Sequence, residues 1–199
     1  GMDGKKIKHV AKRLLETRGT PGKLLAGKTL VALSVHFGFV VAMNSTLDGE
    51  ANDGPLVPGL LESLHAFSPN KNIMLVDSQF CDLTTPNLIL RHSSDFVVRY
   101  HPKTHFHPDN SQKPRTGTDS RGRKYTEQFG WLGKPGSKNC IYVRQIRVPR
   151  EKKDDLVIIT SLLDWDIYSA SDVLDLYGLR WTIETVFQHI TKEFDLRRL

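Results

Sequence analysis

The sequence predicts an α/β fold: a mixed sheet flanked by helices, with a β-rich insertion before the last helix. Three observations carry this expectation. Residues 29–35 and 39–43 are β-rich runs separated only by His36, Phe37 and Gly38, a connection short enough to predict an antiparallel hairpin. Ile73 to Val76 form a short continuous apolar run, as expected of a strand buried on both faces, and a helical segment follows. Leu176, Ile183, Phe187, Ile190 and Phe194 recur at spacings of seven, four, three and four, which is one stripe of an amphipathic helix.

Length and charge narrow the class. At 199 residues the chain is one ordinary domain with room for a sizeable core. A net charge of +6 and a pI near 9.3 favour an anionic partner. Cys81 and Cys140 lie far apart and in no metal-ligand spacing, which predicts a reduced, intracellular, cytoplasmic protein. No apolar run reaches about 18 residues and no signal peptide is visible, so no membrane association is expected.

Taken in order, the chain opens on Met2-Asp3-Gly4-Lys5-Lys6 with no apolar run before Asp3. Residues 5–28 are rich in Lys, Arg and Gly, with a helical hint at 7–15; they read as a basic loop for a phosphate backbone or for solvent. After the hairpin, 48–54 is a turn cluster whose Asp48, Glu50 and Asp53 lack the length and spacing of a calcium loop. Residues 55–67 read as a helix with Leu56, Leu60, Leu61 and Leu64 inward. Asp77 ends the buried strand, where α/β folds place their chemistry; its other reading is the N-cap of a helix at 83–92. A strand follows at 95–100.

Residues 101–155 break the pattern. They are rich in Pro, Gly, Lys, Arg and Ser, hold one clear strand at Ile141–Val148, and read as an insertion of hairpins and basic loops. Arg115, Arg121, Arg123, Lys124, Lys134 and Lys138, interleaved with Tyr125, Phe129 and Trp131, suit a DNA backbone with occasional base stacking, or alternatively a solvated loop. His101, His105 and His107, flanked by Pro102 and Pro108, read as polar loop residues. A strand at 156–162, a turn at Asp164-Trp165-Asp166 and a capping box at Ser169–Asp172 lead into a final helical region that Gly178 divides.

Tyr177, Arg180, Glu184, Gln188 and then Thr191 or Lys192 share a second helical face, which is either a solvated stripe or a functional one. Within "LYGLRWTIETVFQHITKEF", the spacing Tyr177-x2-Arg180-x3-Glu184 with a later Lys resembles the "YREK" signature of DDE transposases of bacterial insertion sequences. The usual Lys position is Thr191 here and Lys192 stands one place on, a shift that rotates a helical side chain by about 100°.

The resemblance covers nearly the whole chain and implies a ribonuclease H-like fold. It implies a first part of the core at 1–100, a β-rich basic insertion at 101–155, and the end of the core at 156–199. It makes Asp3, Asp77 and Glu184 the catalytic and metal-holding acids. Tyr177, Arg180 and Lys192 become DNA contacts, joined by Arg121, Arg123, Lys124 and Trp131 of the insertion. The family's first acid ends a strand that is missing here, so the chain reads as a fragment, cut before Asp3 and again near its end. Three converging carboxylates repel one another without a cation. Hard oxygen donors with open water positions suit Mg²⁺ or Mn²⁺, and two ions about 4 Å apart can drive an in-line displacement. The implied partner is double-stranded DNA, both transposon ends and target, engaged by a homodimer at the nucleoid. The competing readings are an inactive remnant that binds DNA and a nuclease on the same fold without strand transfer.

Overall fold

A computed structural model describes residues 1–6, 27–48, 51–151 and 153–193. The basic loop read at 5–28 lies for the most part outside the described residues. The chain divides into two compact units, one made of Gly1–Pro69 with Arg180–Leu199 and the other of Asn70–Leu179.

The first unit is an antiparallel sheet of β1 (Met2–Lys6), β2 (Lys28–Leu33) and β3 (Val40–Thr46) with two helices, α1 (Val57–Phe67) and α4 (Trp181–Glu193). Asp3 pairs with Val31 across β1 and β2, and Lys28 with Thr46 across β2 and β3. The hairpin turns at Gly38, whose φ of 72° suits a residue without a side chain. A tight turn at Gly54–Leu56, with Pro55 near its start, leads into α1. Val57, Leu60, Leu61 and Leu64 follow helical spacing and pack α1 against β2 and β3. Burying each such side chain contributes about 1.5–3 kcal/mol. Ile183, 1% exposed, turns α4 toward β1.

In the second unit β4 (Ile73–Val76) runs parallel to β5 (Asp95–Arg99), with α2 (Thr84–Arg91) between them in sequence. The continuous apolar run of β4 ends where expected, because Met74, Leu75 and Val76 are all buried. Beyond β5 the pairing is antiparallel, through β10 (Leu156–Thr160), β9 (Ile141–Val148) and β8 (Lys124–Leu132). β6 (Phe106–Pro108) and β7 (Arg115–Thr118) both pair with β8. The segment 101–155 thus holds four strands, where the sequence shows one clearly. Buried Arg144 on β9, with no exposed surface, is held by Glu127 of β8 and by the Tyr168 carbonyl oxygen at 2.6 Å.

α3 (Ala170–Gly178) begins as the capping box predicts: Ser169 Oγ accepts from the Asp172 N–H at 3.1 Å. The helix ends at Gly178 and α4 starts at Trp181. This division corrects the single helical face drawn through Tyr177, Arg180 and Glu184: Tyr177 belongs to α3 and faces its core, 6% exposed. Among the described residues, no helix is long and apolar enough to cross a membrane.

Candidate active site

In the first unit, strand alternation buries Met2 completely and leaves Asp3 half-buried beside it. Asp3 is the second residue of β1, so the acid stands within its strand and not at the strand's end as expected. The Gly4 N–H donates to Asp3 Oδ1 at 2.9 Å. Burial raises the Asp3 carboxyl above its ordinary range. The Gly4 N–H and the Arg180 guanidinium pull against that shift, while the negative charges of Asp53 and Glu184 add to it.

α4 supplies Glu184 in its first turn, where the helix's positive end favours a carboxylate. Arg180 sits just before the helix and donates from Nη1 to Glu184 Oε1 at 3.1 Å. The guanidinium side is well covered, at 7% exposed against 32% for Glu184. Its Cζ lies 5.2 Å from the centre of the Trp181 ring, and Trp181 itself is 60% exposed. An arginine, an acid and an open aromatic face therefore share the start of α4.

Asp77 belongs to the second unit. It follows β4 in extended backbone, φ −80° and ψ 171°, at the head of the short turn Ser78–Phe80, and its side chain makes no capping bond there. The capping role that the sequence left open falls to Asp82, whose Oδ1 accepts from the Thr85 N–H of α2 at 2.6 Å. Beside Asp77 opens a groove of about 640 Å³ lined by Ser78, Arg99, His101, Arg147 and Lys153 among others. Arg147 is paired with Asp155 at 3.2 Å and stays half exposed.

The remaining sequence-predicted residues are spread over the second unit. Arg123 is committed to Asp119, with Nε 2.7 Å from Oδ2, and the N–H groups of Arg121 and Arg123 also point at Asp119. Burial would raise the Asp119 carboxyl, but those bonds hold it below its ordinary value, so this turn is a built part of the β7–β8 hairpin. Arg121 is 62% exposed and 3.4 Å from Asp175. Lys124 is exposed at the start of β8. Trp131 packs edge-on against Tyr142, ring centres 5.1 Å apart, and is half-buried. Lys192 falls in α4, but its side chain lies outside the described residues.

Two residues at the acids have no role assigned from the sequence. Asp53 reads there as a solvated turn residue, yet it is 7% exposed and bound to Lys28. For Trp181 the available signal is an aromatic set among the polar residues Arg180, Thr182 and Glu184.

Among the described residues, no three His, Cys, Asp or Glu side chains form a ready-made ligand group. The donor chemistry of the first unit nonetheless fits a hard divalent cation. Asp3 is an oxygen donor strained as an anion by burial and by two neighbouring carboxylates, a surplus of negative charge that a cation relieves.

No curated protein matches the chain. A family model described as the transposase DDE domain matches residues 8–199, which include Asp77, Arg180 and Glu184 and begin after Asp3. The chain belongs to the transposase DDE domain family, with a ribonuclease H-like α/β fold.

Proposed function

We propose that this chain is the catalytic domain of a DNA transposase of the YREK-signature class, which cuts a transposon end and joins it to target DNA. The observation that carries the reading is the grouping of Asp3, Glu184 and Arg180 in one unit, on elements far apart in sequence, with the charges of Arg180 and Glu184 both felt at Asp3. Family membership supports it, since such enzymes act with a divalent metal. In this reading Asp3, Asp77 and Glu184 are the ligands of Mg²⁺ or Mn²⁺. When bound, the metal would activate a water or a 3′-hydroxyl and offset charge on the leaving oxygen.

The chain's own residues do the rest. Arg180 orients Glu184 and offers its planar fork to a phosphate beside the cut. Trp181 gives a base an exposed face on which to stack. Arg99, Arg147 and Lys153 of the groove beside Asp77, with Arg121 and Lys124 of the 101–155 arm, neutralise backbone phosphates. Tyr177 supports the start of the signature from inside α3, and Lys192 extends it along α4. The partner is double-stranded DNA, held by a homodimer.

The test is incubation of the protein with end-labelled donor DNA and target plasmid in Mg²⁺ or Mn²⁺. Cleaved and joined products are expected. Cleavage without joining would make the protein a nuclease, and salt-sensitive binding without cleavage a DNA-binding remnant.

A further inference from the structure

The buried pair of Lys28 and Asp53 stands beside the first acid without belonging to the chemistry proposed above. Lys28 Nζ lies 2.5 Å from Asp53 Oδ1, with the side chains 12% and 6% exposed, and the same ammonium donates to the Ala51 carbonyl oxygen at 2.9 Å. Asp53 heads the turn Gly54–Leu56, but its carboxylate makes no capping bond to that turn. It reaches β1 instead. A Cβ placed on Gly4 would lie 2.6 Å from Asp53 Cγ and Oδ2, nearer than real Cβ atoms come to anything. The Asp53 carboxylate therefore occupies the space where a side chain at residue 4 would stand. Gly4 is the residue whose N–H holds Asp3 Oδ1 at 2.9 Å. Lys28 anchors the far end of the same ladder, paired with Lys6.

We propose that Asp53 is a positioning residue for the first acid: clamped by Lys28 and seated in the side-chain space of Gly4, it fixes the Asp3–Gly4 backbone and so aims the Asp3 carboxylate. The inference rests on the reading of Asp3 as a metal-holding acid. It also explains why an Asp from a turn some fifty residues downstream is buried at this strand. The negative charge of Asp53 is felt at Asp3, as expected of a carboxylate this close.

The experiment compares the wild-type chain with Asp53→Asn, Lys28→Met and the double variant Lys28→Met/Asp53→Asn. It reads the melting temperature, Mn²⁺ affinity by titration of the metal alone, and the metal-free amide resonance and hydrogen exchange of Gly4. Asp53→Asn is expected to weaken Mn²⁺ binding about ten- to a hundredfold, as losses beside a ligand do, and to speed exchange at Gly4. In the double variant the melting temperature should return toward wild type, because removing both charges of a buried pair is close to neutral. Mn²⁺ affinity and Gly4 protection should stay lost. A double variant that regains wild-type Gly4 protection along with its melting temperature would overturn the proposal and leave the pair purely structural. If the wild type binds no Mn²⁺ while Gly4 responds as expected, the positioning role stands and the reading of Asp3 as a metal ligand fails.

Discussion

Replacing Glu184 by Gln is the most informative single change, because it sets two electrostatic effects against each other. Arg180 Nη1 lies 3.1 Å from Glu184 Oε1, with side chains 7% and 32% exposed. At an effective dielectric of about 20, unit charges at that range attract by roughly 5 kcal/mol before desolvation and screening. Glu184 keeps about a third of its surface in water, so the net value is nearer that of a hydrogen bond to a charged group, about 1.5–3 kcal/mol. The variant's amide oxygen retains an acceptor, which brings the expected loss to about 1–2 kcal/mol. Against this, removing the negative charge relieves Asp3. Glu184 is the smallest of the influences on that carboxyl, so the loss at Arg180 wins. For a chain of this size the melting temperature should fall by roughly 2–8 °C, measured by calorimetry in EDTA at neutral pH. Metal-dependent cleavage should be abolished, with DNA binding retained or strengthened through lost phosphate repulsion. A melting temperature equal to or above wild type would show that repulsion from Asp3 outweighs the Arg180 pair. Near-normal cleavage would remove Glu184 from the acids.

Asp3→Asn should raise the melting temperature of metal-free protein at neutral pH while abolishing activity. A carboxyl raised by burial contributes stability that is present below its unfolded value of 3.8 and lost as pH rises through its folded value. The wild type minus variant difference should therefore shift in the wild type's favour as pH falls through that window, which melts across pH will read. Arg144→Met strips the partner from Glu127, 5% exposed, and should cost about 3–5 kcal/mol in urea unfolding, most of it recovered by also replacing Glu127 with Leu. Cys81 is 3% exposed and burial pushes its thiol up to about 11, so iodoacetamide at pH 8 should label half-buried Cys140 first and Cys81 only on unfolding.

Local chemistry made part of this fold readable. The apolar run of β4, the Ser169 cap and the break at Gly178 are each decided within a few residues, and each stands where the sequence puts it. β6, β7 and the start of β8 were hidden because they are short or mostly uncovered and mix Phe106, His107 and Pro108, Arg115 to Thr118, and Lys124 to Thr126, so no alternation of apolar residues marks them. The placement of Tyr177 followed from the break itself: once α3 ends, a residue three before Arg180 no longer shares its face. Asp53 was the least readable. A turn of Asp, Gly and Asn looks solvated, and its burial depends on Lys28 and Gly4, both far upstream. Long-range pairing of a polar residue leaves no periodic trace.

The first unit is discontinuous, with Asp3 in β1 and Glu184 in α4, while residues 70–179 between them form a compact unit of their own. A ribosome releases those parts in sequence, and domains fold as units during synthesis. The continuous unit can thus pair its own strands while β1 still waits for α4. Closing so long a loop adds little further entropy, since each doubling of length costs only about 0.6 kcal/mol. A nascent chain not yet extended past Leu179 has no Arg180 and no Glu184. The order of translation then acts as a safeguard: the two acids of this unit meet only in a chain whose signature helix has been made.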